Sequence, residues 1–269
     1  MHTGKSVVLP VIKYGEEIIN YTKDELNAIQ KAENRAYRYI MNAPHYTPIA
    51  ALRGEIGASS HIARDMKTKL NFIRHIIQDG NQLLKTIFDD IMERSRDPWA
   101  KTVNNYIREM NLNITKIGRM KKEEINHKIR QWDSECWRAE LETKKTLETY
   151  RKHKIEIKTE TSMYDNTIES DILFQVRTNT LNLGWRKKHK NEDTTCQMCK
   201  IEEEDLQHFL LYCPELQRHR NSCTYLQQPY NSNILETIML FNSHAKQNEI
   251  KRTILQMWNH RKNSIKQQQ

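Results

Sequence analysis

Apolar side chains recur along this chain at three- and four-residue intervals almost from end to end, the spacing that lines one face of an α-helix. The first stripe runs Leu26, Ile29, Ala32 or Glu33, Ala36, Tyr37 and Ile40. It follows Thr22-Lys-Asp-Glu25, a capping box in which a threonine and a glutamate three residues later satisfy each other's backbone N–H groups. The pattern predicts a helix stopping at Pro44. Thr47-Pro48 places a proline at a first helical position, and Gly57 ends that short turn. Ser59 or Ser60 then caps a third stripe, Ile62, Met66, Leu70, Ile73 and Ile77, closed by Gly80.

Two further helices are expected over 81–95 and 97–111, the latter capped by Asp97 with Pro98 just inside. A longer one is expected from Thr115 to Lys154. It carries twelve Lys and Arg against seven Asp and Glu, with Ile125, Ile129, Trp132, Cys136 and Leu141 as a sparse apolar seam. Trp132, Trp137 and Trp258 lie on helical stripes and read as core. Residues 155–166 are polar and β-branched without periodicity, which reads as a linker. A helix over 168–178, a cysteine cluster and two terminal helices between Ile234 and His260 complete the chain, with a frayed Gln-rich end. Seven glycines and six prolines leave little turn chemistry for a sheet. The expected fold is therefore all-α: an elongated helical array over 1–154, a linker at 155–167, a small zinc-stabilised knuckle region at 168–224, and C-terminal helices with a tail at 225–269.

Charge points to the class of partner. Among 269 residues, 43 Lys and Arg exceed 34 Asp and Glu, a formal charge of +9. Such an excess favours a polyanion such as nucleic acid, although it also suits plain solvation of helix faces. The apolar stretch Val7–Ile12 is too short, and too interrupted by Pro10, for a secretory leader, and no stretch reads as a membrane span. Five cysteines make an odd number for a disulfide framework, so metal ligation or free thiols in an intracellular setting, nucleus or cytoplasm, are expected.

Cys196-Gln-Met-Cys199, eight intervening residues, His208, four more, and Cys213 supply three thiolates and one imidazole within eighteen positions. This is the donor set of a closed tetrahedral zinc site, with no position left for a reactive water. His208 and Cys213 are five apart and would diverge by about 140° on an ideal helix. One regular helix cannot present both. Pro214 biases Cys213 away from helical angles, so a helix carrying Leu206, Phe209 and Leu210 is expected to break there. The acids Glu202 to Asp205 fall at that helix's start, where its dipole favours them. His219 and Cys223 are possible substitute ligands with a less natural spacing. Lys190 and Lys200 flank the first pair and would offset a centre of formal charge about −1.

Just before the knuckle, Trp185, Arg186, Lys187, Lys188 and Lys190 join an indole to four cations. With Lys200, Arg218 and Arg220 they form the candidate nucleic-acid contacts, because cations neutralise phosphate and an indole stacks on an unpaired base.

Several of these stretches resemble one family. Leu173-Phe-Gln-Val-Arg-Thr-Asn-Thr-Leu-Asn-Leu183, Thr195-Cys, and Glu204-Asp-Leu-Gln-His-Phe-Leu-Leu-Tyr-Cys-Pro214 resemble the zinc-binding region that ends many non-LTR (LINE-type) retrotransposon reverse transcriptases. Leu9-Pro-Val-Ile-Lys-Tyr-Gly15, Ala32-Glu-Asn-Arg-Ala-Tyr-Arg-Tyr-Ile40 and Ala50-Ala-Leu-Arg-Gly-Glu-Ile-Gly57 are similar to the helical thumb and connecting region after the polymerase palm. The likeness covers about Val7 to Arg220. It implies a segment that grips RNA or single-stranded DNA beside a separate polymerase palm. The palm's carboxylates are not in this sequence: the nearest match, Phe88-Asp89-Asp90, sits on a helical stripe with Leu84, Ile87 and Ile91. The expectation is a non-catalytic, nucleic-acid-binding C-terminal segment with one structural zinc ion. The alternative is a protein-interaction scaffold whose zinc merely fastens the last helices together.

Overall fold

Thr22 and Glu25 make the reciprocal pair that a capping box requires: the Glu25 carboxylate accepts from Thr22 N–H at 2.7 Å, and the Thr22 hydroxyl accepts from Glu25 N–H at 3.3 Å. Helix α1, Lys23–Ile40, follows. Its half-buried positions are Leu26, Ile29, Glu33, Asn34, Tyr37, Arg38 and Ile40, so the stripe passes through Glu33 rather than Ala32. Helix α2 (Ile49–Ile56) ends at Gly57, whose left-handed backbone (φ 69°) and contact with Thr159 leave no room for a Cβ.

In this computed structural model residues 14–94, 96–159, 164–226 and 244–267 are described. Among them the regular secondary structure is helical apart from one isolated antiparallel bridge, Thr195 to Glu203, and no helix is long and apolar enough to cross a membrane. The fold class is all-α. Val7–Ile12 and the expected terminal helix starting at Ile234 lie outside the described residues.

Two compact units emerge. The first takes residues up to Ala36 together with Ala58–Ala139, and the second takes Tyr37–Gly57 and everything from Glu140. Two of the boundaries fall within helices, Lys23–Ile40 and Lys122–Glu142, and one directly after Gly57.

The first unit is built on α3 (His61–Asp79), α4 (Gln82–Glu93), α5 (Pro98–Glu109) and α6 (Ile114–Arg119). Ser60, Asn81, Asp97 and Asn113 each cap a helix start through a side-chain oxygen. Met66, Leu70, Ile73 and Ile76 of α3 bury against Val103, Ile107, Ile117 and Ile125, while Ile62 stays exposed. The expected single helix from Thr115 to Lys154 is instead four pieces: α6, α7 (Lys122–Glu142), a 3-10 turn and α8 (Glu148–His153). Asn113 caps α6, Met120 leaves the helical region with ψ 149°, and Lys144 does so with ψ 93°. The buried face of α7 runs Ile125, Ile129, Asp133, Trp137 and Leu141, so Cys136 points outward and Trp137 replaces it.

In the second unit, α9 (Ile168–Arg177) and α10 (His244–Lys266) carry the apolar faces. Leu173 and Val176 meet Ile250, Ile254 and Met257, and Phe209, Leu210 and Leu216 of the cysteine region join the same core. The described residues of 155–167 are irregular, as a linker would be, but they are anchored: the Thr159 hydroxyl donates to Ile56 O at 2.6 Å and Tyr164 to Glu55 at 2.7 Å.

A four-residue cluster with metal-ligand geometry

The backbone from Thr194 to Glu204 folds on itself as a short hairpin. Cys196 N–H donates to Glu202 O at 2.8 Å and Glu204 N–H to Thr194 O at 2.9 Å. Between them the Cys-x-x-Cys turn closes with Lys200 N–H on Cys196 O at 2.8 Å, which Lys200 reaches by adopting a left-handed backbone (φ 58°). The turn also aims amides at sulfur. The amides of Met198 and Cys199 act on Cys196 Sγ, that of Ile201 on Cys199 Sγ, and that of Glu215 on Cys213 Sγ, each lowering the thiol's pKa. At each of the three sulfurs the backbone thus favours the thiolate.

The second pair of ligands solves its register problem in an unforeseen way. Asp205 caps the following turn, its Oδ1 accepting His208 N–H at 2.7 Å. From His208 to Tyr212 the chain is a π-turn, and Cys213 N–H reaches back five residues to His208 O at 2.7 Å. A ring closed at i→i+5 stacks Cys213 over His208, where an α-turn would have set them about 140° apart. Cys213 then takes ψ 118° and Pro214 starts a 3-10 turn, the break expected at that proline. Leu206, Phe209 and Leu210 are buried as expected.

The outcome is one compact group: one donor atom from each of Cys196, Cys199, His208 and Cys213, all within 4.8 Å of one another. Cys196 Sγ lies 3.9 Å from Cys213 Sγ, and Cys199 Sγ lies 3.3 Å from His208 Nε2. A tetrahedron with metal–sulfur bonds of about 2.3 Å and metal–nitrogen bonds of about 2.0–2.1 Å has edges of about 3.5–3.8 Å. The four residues therefore lie close enough to hold one metal ion, and their donors are compatible with zinc. His208 turns Nε2 inward and sets Nδ1 3.3 Å from the Glu202 carboxylate, the outer partner that fixes a ligating imidazole. His219 and Cys223 stand outside this group. His219 pairs with His260 (3.2 Å), and Cys223 is packed in the core.

Proton sharing shows why the cluster suits a cation. A hydrogen bond from Cys213 comes first among the effects that lower the Cys196 thiol to about 4, while Cys196 in turn drives Cys213 far upward. Burial raises Cys199. Three sulfurs this close do not all ionise unless positive charge enters between them.

Two buried arginines brace the cluster, and one corrects the expectation from sequence. Arg220 is fully enclosed, with its guanidinium on the carbonyl of Cys213 and on Gln217. It belongs to the interior and not to a phosphate-facing surface. Leu216, Arg220 and Cys223, at helical spacing, already mark that position as inward. Arg261 was not singled out from sequence, yet it grips Glu204. The apolar stripe Ile250, Ile254, Met257, Trp258 that runs into it was the available signal.

The remaining flank residues divide. Lys188, Lys190, Lys200 and Arg218 are exposed and Lys187 half-buried. The Arg186 guanidinium lies 3.7 Å from the centre of the Tyr46 ring, and Trp185 packs partly against the core. All of Trp185 to Lys190 sits on one 3-10 segment, Gly184–Lys190. Gly184 anchors it: its N–H donates to Glu204 at 2.7 Å, and a Cβ there would stand 2.6 Å from Thr194 O. Asp89 and Asp90 lie exposed on α4, with Asp90 paired to Arg94, so they form no facing carboxylate pair. Comparison with known proteins finds no matching family model, no matching curated protein and no matching solved structure.

Proposed function

We propose that this chain is a non-catalytic nucleic-acid-binding segment of the kind that ends LINE-type reverse transcriptases, fastened by one structural zinc ion on Cys196, Cys199, His208 and Cys213. The observation that carries the reading is the closed four-donor group with the basic 3-10 segment joined to its hairpin through Gly184 and Glu204. Zinc held there would supply folding energy and no reactive water, since protein atoms fill all four positions. Exposed Lys188, Lys190, Lys200 and Arg218, with Lys187, are the cations available for phosphate. The family assignment rests on the sequence likeness from Leu173 to Pro214.

A scaffold reading has its own support: Arg186 and Arg220 are spent on internal contacts, and Lys188 lies 3.9 Å from Glu203. A gel shift with single-stranded RNA and DNA over a salt series, with and without a zinc chelator, separates the two. Nucleic-acid binding gives affinity that falls steeply between about 50 and 200 mM salt. Weak binding without that slope overturns the proposal in favour of the scaffold.

A further inference from the structure

Beside the knuckle lies a cavity of about 390 Å³, within the size range of small-ligand sites. Its walls include Tyr150, Asn179, Trp185, Lys188 and Leu206. The Trp185 Nε1–H is enclosed and finds no acceptor among the protein's atoms. An enclosed indole N–H without an acceptor is costly, and an acceptor atom of a ligand relieves that cost once the ring turns its edge into the cavity.

Charge narrows the ligand. Arg177, at the back of the cavity, is held at 3.0 Å by Glu55, and Lys188, at its edge, is near Glu203. Asp205, also lining it, has its carboxylate on His208 N–H. The cations are thus balanced locally and acids share the wall, so a phosphate or other anion is a poor occupant. A neutral, planar, acceptor-bearing group is a good one: aromatic and aliphatic side chains line the walls, while the Asn179 amide, whose Nδ2–H donates to Thr146 O at 3.4 Å, turns its oxygen to the group's edge.

We infer that this cavity takes a single unpaired nucleobase of a bound strand, with the backbone phosphates left outside near Lys187, Lys188 and Lys190. The inference rests on the nucleic-acid reading above and adds a base-reading site to it.

The test is fluorescence anisotropy of end-labelled single strands of about twelve nucleotides, one intact and one abasic throughout, with zinc-loaded full chain. The intact strand is expected to bind at least about tenfold tighter, the scale of one base stacked and hydrogen-bonded. Trp185→Phe keeps the ring but removes the N–H, and Asn179→Gly removes the amide while suiting that residue's left-handed backbone (φ 51°). Each is expected to bring the ratio of the two affinities towards one, whereas Lys190→Ala lowers both together. Thermal melts and metal content show that each variant is folded, and Asn179→Gly carries the test should Trp185→Phe fail to fold. Equal binding of intact and abasic strands, or an unchanged ratio in the folded variants, overturns the base site and leaves the nucleic-acid reading standing. No binding of either strand at low salt overturns both.

Discussion

Arg261 meets both carboxylate oxygens of Glu204 at 2.5 Å, and Glu204 in turn holds Gly184 N–H and lies 4.0 Å from Cys196 Sγ. One buried ion pair thus joins the last helix, the hairpin and the basic segment. Removing one partner leaves the other charged and enclosed, which costs about 3–5 kcal/mol. Glu204→Ala is expected to lower the urea midpoint accordingly. The double variant Glu204→Leu, Arg261→Met is expected to recover most of that loss, since an apolar pair of similar bulk carries no stranded charge.

Cys213→Ser removes a ligand and puts a weaker donor at the π-turn. Metal content is expected to fall from one ion per chain to well below it, and limited proteolysis is expected to cut within 194–226 first. The helices of the first unit, between Ala58 and Ala139, have a separate core and should stay protected. Simultaneous loss of both would show that the two units do not melt independently.

Glu55 gives the second unit an acid-sensitive element. Burial pushes its carboxyl up, but the Arg177 guanidinium, Lys154 and the Tyr164 hydroxyl outweigh this and hold it below its ordinary value of 4.5. A depressed folded value contributes stability that is fully present above the ordinary value and is lost as pH falls through the folded one. Melting temperature is therefore expected to drop below about pH 4.5 with a component that Glu55→Gln abolishes. At neutral pH the same variant is expected to be less stable by about 3–5 kcal/mol, because Arg177 loses its counter-charge.

Gly184→Ala inserts a methyl group 2.6 Å from Thr194 O and 3.0 Å from Glu204 Cβ. The hairpin must give way, at about 1–3 kcal/mol. Faster release of metal to a chelator, with little change in helical content, is the expected signature.

Arg220 and Lys190 were alike in sequence and are opposites in the fold. Arg220→Ala is expected to destabilise the chain and leave the salt slope of nucleic-acid binding unchanged. Lys190→Ala is expected to reduce that slope by about one unit with little effect on stability. A reduced slope in folded Arg220→Ala would place that residue at the interface after all.

Local order was legible because its causes are local. Helix caps at Thr22, Ser60 and Asp97, the α3 and α9 stripes, and the ligand spacing of Cys196, Cys199, His208 and Cys213 all depend on residues within a turn or two of one another. Even the break at Cys213 followed from the restriction that Pro214 places on its predecessor. The breaks within 115–154 carry no proline to mark them: the seam from Ile125 to Leu141 lies wholly between Met120 and Lys144, and backbone angles at those two residues turn the chain.

What the sequence by itself determined, then, was the helical class and the four-donor set. Only the tertiary structure decided which charges belong to the interior. Arg261 lies 57 positions from Glu204, and Arg177 lies 122 from Glu55. Periodicity carries no information over such distances, whereas burial of a charge demands a partner wherever the chain can supply one. The π-turn belongs with them: bringing His208 and Cys213 to one centre requires an extra residue in the turn, a demand set by where Cys196 and Cys199 already stand.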